Sequence, residues 1–120
     1  MTKRGKKSKI VNQNIPNFTM FSIPQLISYT IHRLDPKAEI LLFGSRARGD
    51  FRSDSDWDFL ILLGSQALTR HLKNQILDAL YELELETGQV ISALIHTKSD
   101  WEQRAITPIY RIIAKESKRA

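Results

Sequence analysis

Gly44-Ser45-Arg46-Ala47-Arg48-Gly49-Asp50-Phe51-Arg52-Ser53-Asp54-Ser55-Asp56-Trp57-Asp58 decides the reading of this chain of 120 residues. A small-residue turn, Gly44-Ser45, is joined across ten residues to a carboxylate pair, Asp56 and Asp58. Each half lies against an apolar run: Ile40-Leu41-Leu42-Phe43 precedes the turn and Phe59-Leu60-Ile61-Leu62-Leu63 follows the pair. Short apolar runs bounded by turn residues read as buried strands. In a strand, side chains at i and i+2 share a face, so Asp56 and Asp58 stand side by side at the strand's entry. Two carboxylates that close repel, and one takes up a proton unless a cation lies between them. A hard, oxygen-seeking ion such as magnesium meets that need, held by one or two carboxylates and substrate phosphates. The backbone N–H groups of the Gly-Ser turn are placed to hold phosphate oxygens beside it. The pattern points to phosphate chemistry.

Either motif alone says little. An Asp-rich loop before a strand is often only a turn in which Asp and Ser bond their own backbone. It is their conjunction, each at the end of a buried strand, that carries the reading.

Ser22 reads as a helix N-cap with Pro24 in the first turn, and Leu26, Ile27, Thr30 and Ile31 form a helical stripe ending before Pro36. Glu39 to Phe43 is the first strand, Gly44 to Arg48 a short helical turn and Trp57 to Leu63 the second strand. Leu68, Leu72, Ile76, Leu80 and Leu83 repeat near every fourth residue, which predicts an amphipathic helix over about 67–86, with Gly88 just past its end. Val90 to Ile95 reads as a third strand. Ser99 opens a short helix through Arg104, and Thr107-Pro108 a last one through Lys115. The order α-β-β-α-β-α predicts an α+β fold, a small mixed β-sheet with helices packed on one face.

The spacing Gly-Ser, ten residues, Asp-x-Asp resembles the signature of the DNA polymerase β-like nucleotidyltransferases. The flanking Leu42-Phe43-Gly44-Ser45-Arg46-Ala47-Arg48-Gly49 and Ser55-Asp56-Trp57-Asp58 are most similar to the minimal nucleotidyltransferases (MNT), small bacterial and archaeal proteins often encoded beside a HEPN-domain partner. The signature covers the 15 residues from Gly44 to Asp58; a weaker likeness in element order runs from about Ile23 to Ala114. The resemblance implies the polymerase β-like nucleotidyltransferase fold, with Asp56 and Asp58 as catalytic residues and magnesium ligands. It implies that Gly44, Ser45 and Arg46 bind the nucleotide. The reaction it implies is transfer of a nucleoside monophosphate, AMP from ATP, to a hydroxyl acceptor. In the HEPN-associated branch that acceptor is a tyrosine of the partner toxin and the nucleotidyltransferase is its antitoxin. Aminoglycoside nucleotidyltransferases share the signature but carry more chain around it.

Composition bounds the rest. The length fits one domain: a basic tail over 1–20, a nucleotidyltransferase domain over 21–116 and a basic end over 117–120. The chain has no cysteine, so neither disulfides nor thiolate chemistry enter. Its apolar runs fall short of the roughly 20 residues that span a bilayer, and the basic N-terminus lacks the apolar stretch of a secretory signal. A cytoplasmic protein without a membrane partner is expected. The net charge of +5 is a property of the ends: Lys3, Arg4, Lys6, Lys7 and Lys9 lie in the first nine residues, while Ile10 to Ala114 holds 10 basic and 12 acidic residues. Nucleic acid is therefore no expected partner except through that tail.

The other polar residues are weaker candidates. His32 and His71 fall on helices without a partner nearby in sequence, and His96 closes the third strand. Trp57 alternates with the two carboxylates and packs as core, and Trp101 staples the late helix. Arg46 and Arg48 suit triphosphate oxygens, and an ion pair with Asp50 or Asp54 suits them equally. Ser55 orders the loop through its own backbone.

The family's third carboxylate, on a neighbouring strand, is not evident. The matching run, Gln89 to Ile95, has no Asp or Glu. Ser92 is its nearest polar residue, and Glu84, Glu86 and Asp100 flank the strand. Two readings stay open: a magnesium-dependent nucleotidyltransferase, or an impaired relative that binds nucleotide or a partner without transfer.

Overall fold

The computed structural model describes residues 21–64 and 67–120; the basic tail expected over 1–20 lies outside the described residues. Helix α1 (Ile23–Leu34) starts where the sequence says it should. Ser22 Oγ accepts from the Gln25 N–H at 3.3 Å and Gln25 Oε1 accepts from the Ser22 N–H at 2.8 Å, a reciprocal cap that satisfies two otherwise unpaired donors. The helix buries Leu26, Ile27, Thr30 and Ile31, each large apolar side chain contributing about 1.5–3 kcal/mol by leaving water. It stops at Asp35, before Pro36. The Asp35 carboxylate accepts from the backbone N–H groups of Lys37 (3.0 Å) and Gly64 (2.9 Å), tying the helix end to the far end of the second strand.

Strands β1 (Glu39–Phe43) and β2 (Trp57–Leu63) have the expected bounds and pair antiparallel, with Phe43 opposite Asp58. Between them Ser45–Arg48 forms one turn of helix, α2. Helix α3 (Arg70–Thr87) is capped by Thr69, whose hydroxyl accepts from the Leu72 N–H, and ends at Gly88 with φ 73°, a left-handed conformation that glycine adopts without a Cβ penalty. The helix is the crossover that brings β3 (Ile91–Thr97) parallel to β2, with Ser92 beside Asp58. The third strand thus begins one residue and ends two residues later than the expected 90–95, and the Val90 carbonyl just before it accepts from the Trp57 N–H at 2.9 Å. Thr97, rather than Ser99, caps the short α4 (Lys98–Glu102), and Thr107 caps α5 (Pro108–Glu116).

The sheet order is β3-β2-β1-β4. The last strand, β4 (Lys118–Arg119), pairs antiparallel with Leu42 and Leu41 of β1, and the Arg119 guanidinium meets Glu39 at 2.8 Å. Residues expected as a charged end therefore form an edge of the sheet.

The α+β class and the small mixed sheet are as expected, with one refinement in how the faces are covered. Ile40, Leu42, Phe59, Ile61 and Leu63 pack against α1 and α3. On the opposite face, Leu60 and Leu62 meet Trp101 of α4 and Ile113 of α5. The two long helices lie on one face, and the two short ones close the other behind the carboxylates. No helix among the described residues is long and apolar enough to cross a membrane.

Candidate active site

Antiparallel pairing of β1 with β2 brings the two ends of the signature together. Phe43 stands opposite Asp58, so the next residue, Gly44, turns away from the sheet beside the Asp58 side chain. Gly44 has φ 78° and ψ −163°, a combination open in practice only to glycine. A Cβ at this position would overlap Asp58 Oδ2. The carboxylate and the Gly-Ser turn are in contact.

Asp56 is exposed and Asp58 half-buried. The Asp58 carboxyl is pushed above its ordinary range, first by burial, then by the negative charges of Asp56 and Glu116, with Arg48 opposing. Mutual repulsion of this kind is what a cation relieves. Two aspartates with oxygen donors suit a hard divalent ion that completes its shell with water and phosphate. Among the described residues no group of three His, Cys, Asp or Glu side chains is placed to hold a metal ion.

The three acidic residues flanking β3 are engaged elsewhere. Glu84 accepts from the Ile91 N–H at 2.8 Å and starts the strand. Asp100 lies 2.8 Å from His96 Nδ1 and 3.1 Å from Arg104 Nε. Glu86 lines an open groove of about 690 Å³ with Phe21, Arg46, Phe51 and Trp57, and the Trp57 side chain belongs to the core on the α1 and α3 side. Ser92 is the residue in register with Asp58, on the same face and exposed.

Glu116, the last residue of α5, is the acidic group that the sequence analysis passed over. Its Oε2 accepts from the Gly44 N–H at 2.6 Å, and its two oxygens take Arg48 Nη1 at 3.1 and 3.4 Å. The side chain is only 14% exposed. Arg48 also meets Asp50 at 3.2 Å; the bonds to Asp50 and then Glu116 hold its guanidinium in the charged form.

Arg46 is committed to the loop that spaces the two motifs. Its guanidinium lies between the rings of Phe51 (4.5 Å) and Trp57 (4.3 Å), and Nη2 donates to the carbonyls of Ser53 and Ser55, each at 3.2 Å. Its Nε is buried without a hydrogen-bond partner. The Arg52 N–H donates to Ser55 Oγ at 2.8 Å, the local bond expected of that serine. Trp57 Nε1 donates to Gln89 at 3.0 Å. Arg46 thus fixes the loop that delivers Asp56 and Asp58, while Ser45, half-buried at the start of α2, makes no side-chain hydrogen bond among the described residues.

Residues 25–119 match the family described as nucleotidyltransferase domain. Among solved structures, the fold is similar to that of a chain in the crystal structure of a toxin-antitoxin with AMP-PNP, at 17% identity and a TM-score of 0.58, over 82% of this chain and 72% of that one. At that identity the likeness concerns the fold. No curated protein matches the chain.

Proposed function

The chain belongs to the nucleotidyltransferase domain family and so is a transferase; from that premise we propose that it moves AMP from ATP to a hydroxyl acceptor, with magnesium held by Asp56 and Asp58. The observation that carries this reading is the contact between Gly44 and the Asp58 carboxylate. It brings the Gly-Ser turn against one carboxylate of the Asp-x-Asp pair, which supports a shared site for phosphate and metal, as nucleotidyl transfer needs. Bound magnesium would supply charge neutralisation at the α-phosphoryl group as pyrophosphate leaves.

The chain's residues do the positioning. The Gly44 N–H and the Ser45 hydroxyl donate to phosphate oxygens. Asp58, desolvated at the strand entry, is the aspartate most in need of a counter-cation, and Asp56 supplies the second carboxylate from solvent. Arg46 serves the nucleotide by holding the loop between the two motifs, through Ser53 and Ser55. Binding of AMP-PNP by the toxin-antitoxin of similar fold supports an adenine nucleotide as donor. That neighbour is a toxin-antitoxin, which supports a partner protein here; the antitoxin role, the HEPN-type toxin with its acceptor tyrosine and the cytoplasmic setting follow from the sequence resemblance alone.

A second reading rests on Ser92. It lies in register with Asp58, on the strand where the resemblance implies a third carboxylate, and a neutral hydroxyl is a weak metal ligand and a poor base. On this reading the protein binds nucleotide and its partner without transfer. Incubation with α-labelled ATP, magnesium and the toxin tests both. Label on the toxin that disappears in Asp58→Asn supports transfer, and nucleotide binding with no label on any acceptor supports the module.

A further inference from the structure

We propose that Glu116 is a built-in competitor of the nucleotide: its carboxylate occupies the Gly44 amide and Arg48 until a phosphate group displaces it. The inference rests on the nucleotidyltransferase reading above. The Gly44 N–H is the donor that a triphosphate needs beside Asp58, and it is already taken by a carboxylate oxygen at 2.6 Å. Arg48, on the same helical turn, is taken by the same carboxylate. One side chain thus holds two groups that would attract an anion.

Other roles for Glu116 fit poorly. A negative charge on the last residue of a helix opposes the dipole of that helix, so α5 gains nothing from ending on it. What holds the carboxylate in place, 14% exposed, is its bonding to Gly44 and Arg48. A phosphate offers those donors more charge and more oxygens. A metal bound by Asp56 and Asp58 would anchor the same phosphate. Nucleotide affinity in the native protein is then lowered by the fraction of molecules in which the carboxylate is in place.

Calorimetry with magnesium and AMP-PNP tests this on the full chain and on Glu116→Gln and Glu116→Ala. Removing the charge should tighten binding about tenfold, the scale of one charge-assisted hydrogen bond that no longer competes, with Ala at least as tight as Gln. In the native protein, the amide resonance of Gly44 and the side-chain resonance of Arg48 should move together as nucleotide is added. Glu116→Gln keeps the shape of the side chain, so the test survives if Glu116→Ala unsettles β4. Equal affinity in the native protein and Glu116→Gln would overturn the proposal alone. Weaker binding, or unchanged binding with lost transfer, would also overturn it and make Glu116 a ligand of the metal. No nucleotide binding in any of the three proteins would remove the nucleotidyltransferase reading itself.

Discussion

The Cα of Gly44 lies so close to Asp58 that an added methyl group would overlap Oδ2 and come within 3.3 Å of Cγ. The backbone there has φ 78°, which a side chain tolerates poorly. Gly44→Ala should therefore destabilise the fold by about 1–3 kcal/mol from backbone strain alone, and should displace the Asp58 carboxylate. Urea denaturation reads the first effect. Loss of magnesium-dependent nucleotide binding, beyond what the lower stability explains, reads the second.

Asp58 is the aspartate whose charge the metal-free fold resists. Burial raises its pKa above the ordinary 3.8, with Asp56 and Glu116 adding to the effect. A carboxyl raised in the folded state contributes stability below its unfolded value, and that contribution is lost as pH rises through the folded one. Asp58→Asn should thus melt higher than the native protein at pH 7, with the gap closing as pH falls below 3.8. Adding magnesium and ATP should reverse the order by stabilising only the native protein.

Asp100 behaves in the opposite sense. Its bonds to His96 and Arg104 lower its pKa below the ordinary range, so its stabilising charge is present above that range and lost on acidification. Asp100→Asn should lower the melting temperature slightly at pH 6, and the difference should vanish once the pH has fallen through the lowered pKa of Asp100. A difference that persists below that point would show that packing, not charge, is what the variant loses.

Arg46 supplies a loop clamp that lysine cannot copy. Two carbonyl acceptors and two aromatic rings surround its planar fork, and a lysine offers a point charge in its place. Arg46→Ala should cost about 2–3 kcal/mol, the scale of charged hydrogen bonds with stacking, and Arg46→Lys should recover less than half. Nucleotide affinity should fall in both, because the loop delivers Asp56 and Asp58.

Ser92 decides between transfer and binding alone. It shares a face and a register position with Asp58. Ser92→Asp should raise transfer from labelled ATP by about tenfold or more, the range of a single general base. The gain should vanish when Asp56 is also replaced. High native activity that Ser92→Asp leaves unimproved would mean that a third carboxylate comes from elsewhere.

The parts of the molecule legible in the sequence are those whose signal is local. Apolar runs bounded by turns fix β1 and β2 to the residue, and Ser22, Thr107 and Gly88 mark helix ends because caps act within one turn. Strand alternation separates Ser92 from Ile91 and Ala93 by face, while its register opposite Asp58 is visible only in the fold. Glu116 was out of reach for a different reason. Nothing near it in sequence distinguishes it from a solvated acid among basic neighbours, and its partners lie in another element. The same neighbours hid β4, since Lys118 and Arg119 join the sheet through backbone bonds that no side-chain pattern announces. Arg46 offered two equally good partners by charge. The structure gives it a third role, between two rings.

The two halves of the site also differ in how far apart along the chain their members lie. Gly44 and Asp58 belong to one antiparallel unit, β1 and β2, which closes over a short loop pinned by Arg46. Ser92 joins only after α3 has carried the chain across the sheet, and Glu116 reaches Gly44 from 72 positions away. Closing a longer span costs more chain entropy, so the contact of Glu116 with Gly44 has a larger ordering cost to offset than the contact of Gly44 with Asp58.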